Sequence, residues 1–232
     1  MKKVAILQSN YLPWLGYFKM IQLVDEFIIY DDAQYTKNDW RNRNLIKTKY
    51  GVKWITIPIK KDNLTKKPIN KVEVVNSNWI ELHKNKIKES YLKAPYFEEV
   101  YKWLIKVFEE CKDKKYLSEI NVLFIKSICS ILDIRTIITD CRNYQYTGDR
   151  NQKLIEILKG TNASIYLSGP AAKSYISKDL FLHNGIQVEW MKYDLNLSYS
   201  QIHGDFNLNV SIIDVFFNIG IDETKKMIEK LK

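Results

Sequence analysis

Two adjacent carboxylates, Asp31 and Asp32, end the apolar run EFIIY at residues 26–30. A carboxylate just past a buried strand can act as a general base, hold ribose hydroxyls or bind a cation. Neighbouring residues on an extended chain point to opposite sides, so one of the pair is expected to face a cleft. The following stretch, residues 31–44, reads DDAQYTKNDWRNRN and adds Gln34, Trp40, Arg41, Arg43 and Asn44. Two guanidiniums this close suit a phosphate or a carboxylate, which their planar forks can grip in bidentate fashion.

Three other stretches carry reactive or binding groups. QSNYLPWLGYF, residues 8–18, offers the amides of Gln8 and Asn10 and the flat faces of Tyr11, Trp14 and Tyr17. SGPAAKSY, residues 168–175, places Ser168 and Gly169 where backbone can approach a ligand, with Lys173 a turn later. SYSQIHGDFNLN, residues 198–209, contains Gln201, His203 and Asp205 and precedes an apolar helix that Asn209 or Ser211 is placed to cap. His203 is the one histidine in a polar, glycine-containing loop, and with Asp32 it is a candidate proton acceptor.

These groups need elements to hold them. KVAIL at residues 3–7 is a short apolar run that predicts a buried strand. The spacing over 16–24 predicts a helix, and EFIIYDD a second strand. Strand, loop, helix and strand within thirty residues predict a right-handed crossover with parallel strands. KWITIPI at 53–59 and KVEVV at 71–75 predict two more strands around a polar loop. Helical spacing governs the next part, with helices expected near 79–92, 96–111 and 117–132 and Pro95 marking a boundary. Tyr101, Leu104, Ile105 and Phe108 read there as core. Alternation then resumes: strands RTIIT, SIYLSG and IQVEWM, a helix QKLIEILKG, and two C-terminal helices.

The expected fold is α/β, with a mostly parallel sheet flanked by helices, a β-hairpin-like extension and a helical insertion at about 79–133, all in one compact domain over 1–232. Ligands of such sheets bind beyond the carboxyl ends of the strands, which is where the polar stretches above fall.

Composition narrows the function. Of the 232 residues 46% are hydrophobic, enough for a sizeable core, and 36 basic against 27 acidic residues leave a formal charge of +9. That favours an anionic partner, although Lys-, Ile- and Asn-rich usage also arises from AT-rich coding sequence. Cys111, Cys129 and Cys141 lack the spacing of a zinc site or a disulfide framework and read as buried residues of a reducing compartment. No leader and no apolar run long enough to span a bilayer is recognised, so a cytoplasmic location is expected. P-loop, dinucleotide-fingerprint, zinc-protease and nucleophile-elbow motifs are absent, and no metal site is assigned.

Taken in order, QSNYLPWLGYF, EFIIYDDAQYTKNDWRNRN, YLSGPAAKSYI and QIHGDF…SIIDVFFNIG resemble the WbqC-like proteins over nearly the whole chain. Leu208 stands where that family commonly has a proline before the last helix start. The resemblance implies a role in bacterial surface-polysaccharide (O-antigen) biosynthesis, with transfer of glycine or a related acyl group onto an amino sugar. The first strand–loop–helix–strand unit also looks like the start of nucleotidylyltransferase and amide-ligase folds. Gln8, Ser9 and Asn10 stand where those folds use a histidine, so the likeness extends to the fold alone.

A nucleotide-linked amino sugar is the substrate expected on this reading. His203 or Asp32 is the base, Asn10 and the Ser168–Gly169 amides hold the developing oxyanion, and Arg41 and Arg43 clamp phosphate. The cofactor is not identified; ATP or an activated acyl donor fits the reaction. A non-catalytic binder of sugar nucleotides or glycans is the alternative, and a nucleic-acid binder is a less favoured third. One geometric expectation follows. Asn10, Tyr11, Asp31 and Asp32 should line a single cleft, Ser168 and Gly169 should open onto it, and the C-terminal loop should bring His203 to the Asp pair.

Overall fold

A computed structural model describes residues 1–62, 64, 66–193 and 197–231. The elements are β1 (Lys3–Leu7), α1 (Leu15–Gln22), β2 (Glu26–Ile29), β3 (Arg43–Thr48), β4 (Gly51–Thr56), α2 (Asn78–Tyr91), α3 (Phe97–Glu110), α4 (Leu117–Ile131), β5 (Ile137–Asp140), α5 (Arg150–Gly160), β6 (Ile165–Ser168), α6 (Lys178–His183), β7 (Gln187–Trp190) and α7 (Ile212–Lys230).

Five strands form one sheet in the order β5-β2-β1-β6-β7, every neighbouring pair parallel. β2 is buried along its whole length, as a strand covered on both faces must be. On one face Ala5, Phe27, Ile29 and Leu167 join the larger core formed with α1, the insertion helices and α7. On the other Val4, Ile6, Ile28 and Tyr166 pack against α5 and α6. β1 connects forward to β2 on one side, and β6 connects to β7 on the other, so the winding reverses between β1 and β6. These two strands pair only at Lys3–Ile165 and Val4–Tyr166. Past that point they are not joined, and the sheet opens at its carboxyl end.

The α2–α4 insertion lies where the helical spacing predicts. In α3, Phe97, Val100, Leu104, Val107 and Phe108 recur at helical intervals and are buried. Each such side chain contributes about 1.5–3 kcal/mol by leaving water. α4 starts with a capping box in which Glu119 accepts from the Tyr116 N–H at 3.0 Å. α7 is broken at Gly220, whose φ of 80° and ψ of 172° are non-helical, which accounts for two C-terminal helical stretches in the sequence.

The hairpin differs from expectation. Its strands are β3 and β4, antiparallel with Thr48 opposite Gly51. Residues 71–75 form no strand: Val72 and Val74 are buried, but their segment makes only single bridges, Ile59–Val74 and Glu73–Tyr116. β3 escapes a sequence reading because polar Asn44 takes an inward position beside Ile46, which breaks the apolar alternation. None of the described helices is long and apolar enough to cross a membrane. The three cysteines are buried, and burial pushes the Cys111 and Cys129 thiols up to about 12 and Cys141 up to about 11.

Candidate functional site

The opening between β1 and β6 is a cleft of about 440 Å³. Its floor is the end of β1 with Gln8. One wall is Tyr30, Ala33, Gln34 and Thr36 after β2, and the other is Tyr166 on β6 with Tyr175 beyond it. Arg150 and Leu154 of α5 close the top. This is the position at which open α/β sheets bind ligands.

Arg150 is the first residue of α5. The helix is capped by Asp149, which accepts from the Gln152 N–H at 2.9 Å. The Arg150 guanidinium lies over the Tyr175 ring, 4.4 Å from its centre. Among the described residues no carboxylate forms an ion pair with it. An exposed guanidinium stacked on an aromatic ring beside an open cleft is the kind of group that can meet an anion.

The two aspartates lie in a turn beyond the end of β2 and take different environments. Asp31 is buried and accepts from the Ser9 N–H at 2.8 Å, the Ser9 hydroxyl at 2.6 Å and the Ser118 hydroxyl. Burial pushes its pKa up, against the hydrogen bonds from Ser118 and Ser9. Asp32 is exposed and accepts from the Asn70 side-chain amide and the Tyr146 hydroxyl. The Tyr146 ring stands 6.1 Å from Tyr30, which lines the cleft, so Asp32 is one side chain removed from it. Burial raises the Tyr146 pKa, as does its bond to Asp32, so the phenol stays protonated and donates.

The loop after β1 is split between cleft, core and a second cavity. Gln8 lines the cleft. Tyr11 is fully buried, its hydroxyl 2.8 Å from His83 Nδ1, and Tyr17 is buried with its hydroxyl donating to the Gln8 carbonyl at 3.1 Å. Asn10, Pro13, Trp14, Trp40, Asn44 and Asn209 surround a smaller cavity of about 200 Å³. Asn44 is a brace in that wall: its amide donates to the Tyr11 carbonyl at 3.1 Å and the Leu12 carbonyl at 2.7 Å. The Arg41 guanidinium bonds Asn10 Oδ1, lies 3.6 Å from Asp39, and keeps a buried, unpartnered Nε. Arg43 lies over Trp54 at 4.1 Å and bonds Asn38. Gly16 is needed for close approach, since a Cβ there would fall 2.3 Å from the Trp14 ring.

Ser168 is buried, Gly169 borders open space, and the two connect Tyr166 to the turn that carries Tyr175. Lys173 is exposed, its ammonium 5.9 Å from the centre of the Trp190 ring. The C-terminal loop is fastened elsewhere. His203 Nε2 lies 2.8 Å from the Ser90 carbonyl of α2. Gln201 bonds Lys47 at 2.7 Å and Asp214 at 2.8 Å, and the Asp205 carbonyl accepts from Lys47. Lys47 is four residues along β3 from Arg43, about 13 Å at the rise of a strand. Of that loop, Asn209 rather than His203 reaches the loop after β1.

The structure therefore puts Gln8 and Gln34 on one cleft, leaves Asp32 outside its lining on Asn70 and Tyr146, gathers Asn10, Trp14, Trp40 and Asn44 around a second cavity, and keeps His203, Gln201 and Asp205 with neither. Arg150, Tyr30, Tyr146, Tyr166 and Tyr175 were not singled out by sequence reasoning. An Asp-Arg pair opening a helix was visible for Arg150, but its place beside β1 depends on strand order.

A model of the WbqC-like protein family matches residues 8–226. Among curated proteins, the chain is similar to the uncharacterized protein Rv1507c of Mycobacterium tuberculosis (strain ATCC 25618 / H37Rv), with 40% identity over 222 residues, 96% of either chain. No solved structure matches.

Proposed function

The chain belongs to the WbqC-like protein family, and we propose that it is a transferase of bacterial surface-polysaccharide biosynthesis that acylates or aminoacylates the amine of a nucleotide-linked amino sugar. The observation that carries this reading is Arg150, stacked on Tyr175 at the start of α5 and facing the open end of the sheet. A diphosphate set there meets the guanidinium and the first N–H groups of the helix. Tyr30 offers a flat surface, and Gln8 and Gln34 offer amide contacts to ribose or sugar hydroxyls.

Amide formation requires a free amine. In this reading Asp32 takes a proton from the sugar ammonium, and the amine lone pair attacks the acyl carbonyl carbon. The C–N bond forms, and the donor's leaving group departs with the electron pair of the bond it held and takes up the second proton that the nitrogen loses. Tyr146 and Asn70, which donate to Asp32, fix the carboxylate's direction. Asp32 is preferred to His203 because the histidine is bonded to the Ser90 carbonyl and shares no partner with the aspartates. The donor is a glycine-type acyl group, activated beforehand or by ATP.

The test is incubation of the full chain with UDP- and dTDP-linked amino sugars and acyl or glycyl donors, with and without ATP, followed by mass spectrometry. The expected product carries the acyl mass, and Asp32→Asn abolishes it while leaving nucleotide binding in place. Binding without any mass change across the panel would make the protein a sugar-nucleotide binder instead. Neither binding nor turnover would remove the reading.

A further inference from the structure

The cavity between Trp14 and Trp40 lies outside the switch-point cleft and has its own chemistry. We infer that it is a binding site for one pyranose ring of a saccharide, with N-acetylhexosamines as the favoured class. It is an addition to the cleft described above and stands whether or not that cleft takes a nucleotide.

Its two aromatic walls are held from behind. Trp14 packs on Tyr193 with ring centres 4.9 Å apart and lies over Gly16, where no side chain intervenes. Trp40 packs on Trp54 at 5.1 Å, and the Arg43 guanidinium covers Trp54 at 4.1 Å. The row is nevertheless open to solvent: Trp40 is 40% and Trp54 39% exposed. Rigid flat faces left uncovered, beside a cavity, suit the C–H face of a sugar ring, which stacks without needing a charge.

The polar groups select further. All six lining residues are uncharged, which disfavours a phosphate or carboxylate in the cavity itself. Two potential acceptors are already occupied, Asn10 Oδ1 by Arg41 and Asn44 Oδ1 by the Leu45 N–H at 2.7 Å. Among the described residues, the amide nitrogens of Asn10 and Asn209 and the indole N–H groups of Trp14 and Trp40 donate to nothing. The cavity therefore presents these donors together with one acceptor free among the described residues, the Asn209 amide oxygen, which match the hydroxyls and the acetamido carbonyl and N–H of an N-acetylhexosamine. Its volume of about 200 Å³ holds one ring, being below the ~300 Å³ at which pockets for larger ligands begin. Asn209 comes from the segment before α7, and two backbone bonds tie that segment down, Ser211 N–H to the Leu45 carbonyl at 2.8 Å and Ile212 N–H to the Pro13 carbonyl at 3.0 Å.

Saturation-transfer NMR on the full chain tests this, with N-acetyl-D-glucosamine, N-acetyl-D-galactosamine and adenosine as probes. The expected result is transfer to an N-acetylhexosamine, and no displacement when UDP is added. Trp40→Ala and Asn209→Ala each weaken it by about fivefold to tenfold, the worth of one stacking face or one hydrogen bond, whereas Trp40→Phe keeps most of it. Thermal melts check folding, and because Asn209 is exposed its variant carries the test if Trp40→Ala is unfolded. The inference fails if neither sugar receives saturation, if adenosine binds in their place, if UDP displaces them, or if the alanine variants bind as well as the parent.

Discussion

Ser9 gives both its backbone N–H and its hydroxyl to the carboxylate of Asp31, at 2.8 and 2.6 Å. One residue of the first loop is thereby pinned to the end of the second strand. Ser118 of α4 donates to the same carboxylate, and Asn121 of α4 reaches the Ser9 hydroxyl at 3.0 Å and the Arg41 carbonyl at 2.8 Å. The insertion thus holds the loops that form both cavities. Asp31 is spent on this junction, and its neighbour Asp32 is left to face outward.

Removing the junction should cost stability. Asp31→Ala leaves two hydroxyls and one N–H buried without an acceptor, an expected loss of about 2–4 kcal/mol. Urea denaturation checks it: the midpoint should fall with little change in slope, and Asp31→Asn, which keeps an oxygen acceptor, should lose less. An unchanged midpoint in Asp31→Ala would mean that the loops are held by other contacts.

The buried His83 predicts a pH dependence. Its Nε2 lies 3.2 Å from the Thr56 carbonyl, which can only accept, so that nitrogen carries the proton and Nδ1 accepts from Tyr11. Burial lowers its pKa from 6.5 to about 4. The unfolded chain therefore binds the proton more readily. The contribution is complete above pH 6.5 and is lost as pH falls toward 4, by up to about 3 kcal/mol. Unfolding free energies at pH 7 and pH 4.5 should differ less in His83→Gln than in the parent. An equal difference in both would assign the effect to other groups.

Arg150→Ala should leave the melting temperature near that of the parent, because the residue ties no buried group. Its affinity for UDP should fall about tenfold to a hundredfold, as for a lost hydrogen-bonded charge. Arg150→Lys should recover only part, since a point charge cannot reproduce the stacked fork over Tyr175. Titration calorimetry measures all three, and equal affinities would take the phosphate away from α5.

Gly220 occupies φ 80° and ψ 172°, and a Cβ there would lie 2.7 Å from the Tyr96 ring. Both strain and crowding oppose a side chain at the α7 break. Gly220→Ala should cost about 2 kcal/mol, or roughly 4–8 °C in Tm. A melt within a degree of the parent would mean that the break relaxes without penalty.

Local order along the chain was legible because it is written in short-range periodicity. The apolar runs of β1 and β2, the helical spacing of α2–α4 and the Pro95 boundary each lie within about fifteen residues. The polar stretches after β1 and β2 were legible too, since their composition departs from that of a packed segment. The hairpin strand β3 was not. Asn44 faces inward there because it bonds the Tyr11 and Leu12 carbonyls, thirty residues away in sequence, and no local pattern records that debt. The choice between Asp31 and Asp32 was open for the same reason, and Ser118, on a helix from the insertion, helped to decide it. Arg150 and Tyr175 meet Gln8 only because β6 pairs with β1, and His203 is held away from them by Ser90. Strand order and the burial of single polar groups arise from contacts between distant segments, so the sequence supplied the groups and the tertiary fold decided which of them share a cavity.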